Sequence, residues 1–425
     1  MTKQYTYKFR IYPNKEQAAF LDDQMGCGRF VYNFFLERAV NLYRVHNIKF
    51  NYYESKKILP LLKKGFPFLK GCNSQSLQAA LKNLDVAFRN FFQHRSKFPN
   101  FKKRINTNSI AIPQHFAITD SILLIPKLKS GIKVKFHRRV NETVKFITIT
   151  RNQSGRYYVN MLVEKTFAPL PNINRVSGID VGIKSFATIT SGISADSVDC
   201  FATLAMTAAK QSTIKIDNPK YLLKSQAQLK KLNRQFAKKT KGSKNKAKFR
   251  KILASLYEKV TNQRKDFQHK LSSRTINDSQ VIVLEDLNIK GMVKNRHLSK
   301  SISDASWGIF AAQLAYKADW YGREIIKVNR FYPSSKTCPD CGYIKRDLRL
   351  SDRRWTCPVC GTEHDRDDAA SLNLFLEGLK KVGRVSPEPA YEPTPAEYAP
   401  AGIRKSVSGY SRHTSKQEAR LFIGG

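Results

Sequence analysis

Long apolar runs are missing from this chain of 425 residues, so no segment reads as a transmembrane helix. The opening residues Met1-Thr2-Lys3-Gln4-Tyr5 hold no apolar signal core. The expectation is a protein of the cytoplasm with no membrane partner. Cysteine is scarce, with seven in all, which excludes a disulfide framework as the basis of the fold. Cys27, Cys72 and Cys200 stand alone and read as buried and inert, while the other four form two close pairs. Acidic residues are also in short supply: 33 Asp+Glu face 75 Lys+Arg, for a net charge of +42. A free enzyme with a neutral substrate has no use for that self-repulsion. A solvated basic surface or an anionic lipid is the bland alternative; nucleic acid relieves the charge directly through its phosphates.

What the chain does have is 41% hydrophobic residues, enough for packed cores, and a length that suits two or three domains. Residues 5–12 alternate, with Tyr5, Tyr7, Phe9 and Ile11 on one face and Lys8 and Arg10 on the other, which predicts a strand. Pro13 ends it, and Asn14 with Gln17 three residues later predicts a capped helix start. Leu77, Leu81, Leu84, Phe88 and Phe91 fall at helical spacing after Ser74. Residues 14–104 thus read as a helical module that closes on aromatics among bases, including Lys102, Lys103 and Arg104. The period then changes, and short apolar stretches at 122–125, 132–136, 143–149 and 157–163 read as strands of a small β-barrel. The first strand completes it, with the helices inserted. Residues 219–275 read as a basic helical hairpin turning at Gly242-Ser243. Its Lys230, Lys231, Lys238, Lys239, Arg250 and Lys251, with Lys8, Arg10 and the 102–104 bases, are the candidate nucleic-acid contacts.

Two constellations carry chemistry. Cys338-Pro339-Asp340-Cys341 and Cys357-Pro358-Val359-Cys360 are two CxxC knuckles separated by fifteen residues, the spacing of a closed structural zinc site. Gly342 and Gly361 follow them where the knuckle requires positive φ. The second constellation is acidic: Asp180 in Gly178-Ile179-Asp180-Val181-Gly182, Glu285 at the end of Val281-Ile282-Val283-Leu284, and Asp365-Arg366-Asp367 opening a helix. Buried carboxylates need a compensating charge, and hard oxygen ligands favour Mg²⁺ or Mn²⁺. Paired cations flanking a phosphorus are the device of two-metal nucleases.

Up to about residue 380 the sequence resembles the transposon-encoded TnpB (OrfB) proteins, relatives of type V CRISPR effectors with a single RuvC nuclease. The resemblance rests on Tyr7-Lys8-Phe9-Arg10-Ile11-Tyr12-Pro13, Gly28-Arg29-Phe30-Val31-Tyr32-Asn33, the Asp180 and Glu285 stretches, Asn262-Gln263-Arg264-Lys265-Asp266-Phe267, Tyr332-Pro333-Ser334-Ser335-Lys336-Thr337-Cys338 and His364-Asp365-Arg366-Asp367. It implies an α+β and α/β multidomain architecture: an N-terminal β-barrel with an inserted helical bundle, then a ribonuclease-H-like RuvC domain with an inserted zinc ribbon. The implied divisions are 1–13 for the first barrel strand, 14–104 for the helices, 105–170 for the rest of the barrel and 171–334 for the nuclease domain. The ribbon follows at 335–363 and the last nuclease segment at 364–383; prolines among Glu, Ala and Tyr from Ser386 onward separately read as a disordered tail at 384–425. Asp180, Glu285 and Asp367 are the implied metal-binding, catalytic triad, with Asp367 preferred to Asp365 on the family pattern Asp-x-Asn-Ala-Ala-x-Asn. The implied partners are a guide RNA from the transposon end, bound by one monomer, and a double-stranded target DNA read by base pairing beside a short flanking motif.

The chain departs from the family pattern at Ala369, where Asn is usual, at Ser371, and in an extra loop at 191–212. Asn373 matches. The lost amide leaves open a guided DNA-binding repressor with a dead nuclease; a transposase that joins ends itself is the third reading. If the basic arm tracks phosphates, affinity for duplex will fall with salt at a log–log slope of roughly 0.9 per phosphate contact. Filter binding across a salt series checks this, and a flat response removes the arm from the interface.

Overall fold

The alternating pattern at the N-terminus forms β1 (Thr2–Tyr12), which buries Tyr7, Phe9 and Ile11 and leaves Lys8 in solvent. The computed structural model describes residues 1–104, 108–193, 211–349 and 351–382; Cys200, most of the 191–212 insertion and the tail from 384 lie outside them. Residues Met1–Lys380 make one unit; of the second, Lys381–Gly425, only 381 and 382 are described.

Helix α1 (Lys15–His46) starts at Asn14, whose side chain accepts from the Gln17 N–H while Gln17 returns a bond to the Asn14 N–H. This capping box satisfies two otherwise orphaned donors. Helix α3 (Ser74–Phe92) packs on α1 and helix α2 (Tyr52–Gly65) on α3, with Leu77, Leu81 and Leu84 fully buried in one core with Val31, Phe35 and Leu36. Cys27 and Cys72 sit in this same core.

After the helices come β2 (Ser109–Ile112), β3 (Ala117–Thr119), β4 (Ile122–Leu124), β5 (Ile132–Lys135), β6 (Val144–Arg151) and β7 (Tyr157–Thr166). With β1 they form a seven-stranded antiparallel sheet in the order β2-β6-β7-β1-β5-β4-β3. Its inward residues, from Phe9 and Ile110 to Leu123, Val134, Ile149 and Met161, share one core, so the sheet curls around its own side chains. Where a barrel was expected there is this curled sheet, and no pairing joins β2 to β3 among the described residues.

The second sheet holds β8 (Arg175–Val181), β9 (Ser185–Ile193), β10 (Ser212–Asp217), β11 (Val281–Glu285) and β12 (Glu324–Val328), ordered β10-β9-β8-β11-β12. β8, β11 and β12 run parallel, while β9 and β10 fold back antiparallel. Residues Val281 to Leu284 are buried throughout, the continuous apolar run expected of a parallel strand covered on both faces.

Between β10 and β11 lies the hairpin, α4 (Gln226–Ala237) and α5 (Lys244–Asp278), turning at Gly242 with φ 87° and capped by Ser243. Helix α6 (Trp307–Tyr321) packs on α5 through Phe310, Leu314 and Ala318. A small hairpin of β13 (Arg354–Thr356) and β14 (Glu363–Asp365) leads into α7 (Arg366–Val382).

Glu258 on α5 joins the hairpin to the curled sheet. It accepts from Asn152 (2.8 Å), Ser154 (2.6 Å) and Tyr158 (2.6 Å) and pairs with Arg156 at 3.3 Å. Burial alone would raise its pKa, but these donors outweigh burial and hold the carboxyl below its ordinary value. An unfolded chain therefore binds this proton more readily than the folded one. The stabilisation is present above the ordinary carboxylate range and is lost as pH falls through the depressed folded value. Glu258→Gln keeps an acceptor but removes the ionisation. Urea unfolding between about pH 6 and pH 3 should show a shallower acid loss of stability in the variant than in the parent; identical slopes would mean that Glu258 does not set the link.

Candidate carboxylate site and cysteine cluster

Parallel pairing places Ile179 opposite Leu284, so Asp180 and Glu285 are the next positions on adjacent strands. Asp367 opens α7, which lies unusually close to β8. A methyl group on Gly178 would stand 2.3 Å from the Phe375 backbone nitrogen and 2.5 Å from the Ser371 carbonyl oxygen. Gly378 is equally constrained, its added carbon falling 2.3 Å from Val283. Two glycines, one on each element, thus permit the approach that brings the start of α7 to the strand ends.

Half-buried Asp180 carries the electrostatic record of this crowding. Burial, then the charges of Glu285 and Asp367, raise its pKa well above the ordinary carboxylate value, and Arg366 offsets only part. Glu285 accepts a bond from the Ser334 hydroxyl. Asp367 accepts from Arg353 at 3.4 Å. Asp365 is engaged differently. One oxygen caps α7, accepting from the N–H groups of Asp367 (3.0 Å) and Asp368 (3.3 Å), and the other pairs with Lys215 at 3.0 Å. Burial pushes Asp365 upward, yet Lys215 and the two N–H groups hold its pKa below the usual value. Lys215 also pairs with Asp368 at 3.0 Å.

Asn373, buried, donates to the carbonyls of Ser334 (2.7 Å) and Thr337 (2.8 Å). It thereby fixes the loop whose Ser334 hydroxyl holds Glu285. Ala369 is packed into the core, and Ser371 bonds Thr190 at 2.7 Å. Ser334 and Asn373 stand in stretches already marked by the family pattern. Lys215, Arg353 and Glu258 gave no sequence signal, because single charges in basic or mixed segments have no distinguishing neighbours.

The sulfurs of Cys338, Cys341, Cys357 and Cys360 lie within 4.8 Å of one another, a donor set suited to tetrahedral zinc. Gly342 and Gly361 have φ of 78° and 73°, and their N–H groups bond back to the carbonyls of Cys338 and Cys357 at 2.9 Å. His364 was not foreseen here: its Nε2 lies 3.1 Å from the Cys338 sulfur. Cys338, Asp340 and His364 form a second close group, whereas Asp180, Glu285 and Asp367 do not draw together within that 4.8 Å limit.

The candidate nucleic-acid residues spread over several surfaces. Lys8 lies over the Tyr158 ring, Arg10 over Tyr12 and Lys102 over Tyr32, at 4.4, 4.8 and 4.8 Å. Lys103, Arg104, Lys230, Lys231, Lys238, Arg250 and Lys251 are exposed, while Lys239 is half-buried over Phe249. A cavity of about 510 Å³ lies between the hairpin and Arg156, lined in part by Lys259, Asn262 and Gln263.

Residues 158–296 match the OrfB_IS605 family, described as "Probable transposase"; 307–374 match a "Cas12f1-like, TNB domain" and 1–47 a "Helix-turn-helix domain". That last match spans β1 and α1, a strand and one long helix. A protein of Streptomyces pristinaespiralis named "Putative RNA-guided DNA endonuclease" is 36% identical over 379 residues, covering 88% of this chain and 89% of its own. The chain belongs to the TnpB (OrfB) family. A second relative, "Putative RNA-guided DNA endonuclease InsQ" of Escherichia coli K12, is 28% identical and covers 89% of this chain and 93% of its own. Among solved structures, the mini-RNA-guided endonuclease CRISPR-Cas_phi3 shares the fold with a TM-score of 0.51 at 11% identity, covering 91% of this chain and 94% of that one. No helix among the described residues of this TnpB-family chain is long and apolar enough to cross a membrane.

The glycine approach makes a sharp prediction. Gly178→Ala sets a carbon against backbone on α7 that cannot rotate away, and overpacking of this kind costs about 1–3 kcal/mol. Denaturant unfolding should show that loss. A variant as stable as the parent would mean that α7 does not sit this close to β8.

Proposed function

We propose that this chain is an RNA-guided DNA endonuclease that cuts phosphodiester bonds with Asp180, Glu285 and Asp367 as the carboxylates of a ribonuclease-H-like RuvC site. The observation that carries the reading is the state of Asp180. Burial first, and then the charges of Glu285 and Asp367 from segments about a hundred residues apart, push it toward its neutral form. A folded protein has little reason to hold such a group unless a cation supplies the missing charge. The strand order β10-β9-β8-β11-β12, with its antiparallel half followed by parallel strands, supports the ribonuclease-H-like assignment.

The donor set is all oxygen, which suits Mg²⁺ or Mn²⁺. Bound divalent cations supply an activated water and charge neutralisation at the leaving 3′ oxygen. The protein groups orient this site. Ser334 occupies one oxygen of Glu285 and leaves the other free to bind. Asp365 has its oxygens committed to the α7 N-terminus and Lys215, which favours Asp367 as the ligand. Arg353 neutralises part of the charge on Asp367 from outside. The four cysteines hold zinc in a closed site that serves folding rather than hydrolysis.

The net charge of +42 and the exposed bases of the hairpin fit a guide RNA, taken from the transposon end and bound by one monomer, with a double-stranded target DNA. Sequence is then read by base pairing, and the protein supplies phosphate contacts and recognises a short flanking motif.

Plasmid cleavage by the full chain, co-expressed with its downstream DNA and a reprogrammed guide segment, tests the reading. Asp180→Ala should abolish cutting, by more than about a hundred-fold, while guide and target binding stay within about two-fold. Binding without cutting by the parent protein in Mg²⁺ and in Mn²⁺ would instead favour a guided repressor. Native mass spectrometry should find one zinc per chain, lost in Cys357→Ser together with a lower unfolding temperature. Full stability without zinc would remove it as a structural ion.

A further inference from the structure

Phe331 is 86% exposed, more than any other large apolar side chain among the described residues. Such a side chain contributes nothing to the core. Its setting is also unusual, because the loop that carries it begins and ends at Glu285. Val328 pairs with Glu285 across β11 and β12, and six residues later Ser334 donates to the Glu285 carboxylate. Phe331 stands midway between these two anchors.

The loop is built rather than slack. The Phe331 N–H bonds the Asn329 side chain at 2.9 Å, Tyr332 N–H bonds the Asn329 carbonyl at 2.9 Å, and Ser334 N–H bonds the Tyr332 carbonyl at 2.8 Å. Arg330 is tied to Asp286, the residue after Glu285, at 2.5 Å. Tyr332 turns inward and is half-buried, so its neighbour Phe331 is held outward by the same backbone.

We propose that Phe331 is a stacking platform for an unpaired nucleobase of the DNA strand entering the carboxylate site. This rests on the nuclease reading above and adds to it the form of the substrate at the point of cutting: a single strand with one base unstacked. The surroundings select this occupant. Lys327, just before the loop, is an exposed cation, and Arg330 and Arg353, exposed though paired with Asp286 and Asp367, keep further N–H donors for a phosphate backbone. A flat aromatic among cations is how single strands are bound without regard to sequence. Sequence tolerance is what a site needs when pairing with a guide chooses the target.

The test uses the full chain with its guide RNA. Single-turnover cleavage of a guided target is compared for the parent, Phe331→Ala, Phe331→Leu and Phe331→Trp. In parallel, 5-iodouracil is placed at successive positions of the cut strand and crosslinked by light to complexes carrying Asp180→Ala. Stacking predicts an adduct on the peptide holding residue 331 from one or two positions near the cut. It also predicts a loss of about ten-fold in cleavage efficiency for both Ala and Leu, the scale of one base–aromatic stack, with Trp close to the parent. Leu equal to Phe would show an apolar surface for a protein partner and overturn the proposal, as would an unchanged Ala variant or adducts that avoid residue 331. Guided cutting by the parent, lost in Asp180→Ala, shows separately that the nuclease reading holds. If the parent does not cut, that reading fails and the platform falls with it.

Discussion

Carboxylates repel one another, and this chain forces three of them toward one place. Asp180 records the cost as a pKa pushed far up by burial and by Glu285 and Asp367. Much of the second sheet can be understood as the apparatus that imposes the crowding. Parallel pairing of β8 with β11 sets Asp180 beside Glu285. Helix α7 adds the third group by resting almost directly on the β8 backbone at Gly178. The packing of an apolar layer therefore supplies the free energy that holds like charges together, and a bound cation would release it.

The remaining architecture distributes positive charge around this acidic centre. The curled sheet wraps one face around a core shared with α1, and its other face carries Lys8 and Arg10. The long basic helix α5 buries Leu256 and Val260 along its first half. Glu258 adds a polar anchor there, taking four donors from the β6–β7 turn and β7. One carboxylate with every oxygen satisfied can dock a strongly basic helix onto a basic sheet, since it offsets repulsion where the two surfaces meet.

Much of this was legible in the residues because it rests on local rules. The Asn14–Gln17 capping box, the Gly242-Ser243 turn and the positive φ of Gly342 and Gly361 each follow from one or two side chains and their spacing. The strands with clean alternation or long apolar runs were legible for the same reason. β2 and β3, Ser109–Ile112 and Ala117–Thr119, were not read as strands. The partners of the candidate site were hidden more deeply. Lys215 meets Asp365 across 150 positions, Arg353 meets Asp367 across a hairpin, and His364 meets Cys338 across the ribbon. Nothing local distinguishes these residues from dozens of other charges; only the topology selects them.

The ribbon and the third carboxylate form one mechanical piece, and this bears on the missing amide at Ala369. His364 lies against the Cys338 sulfur, Asp365 closes β14 and caps α7, and the Arg366 N–H bonds the Arg353 carbonyl at 2.8 Å. From the cysteine cluster to Asp367 the chain is held at every residue. Asn373 ties the same helix to the Ser334 loop from its far side. Asp367 is thus oriented by its backbone on both flanks, through the ribbon and through Asn373, rather than by an amide at position 369. A helix clamped in this way needs less from any one neighbouring side chain, so the departure at Ala369 is compatible with a working site, whereas loss of the cysteine cluster would free the start of α7 and Asp367 with it.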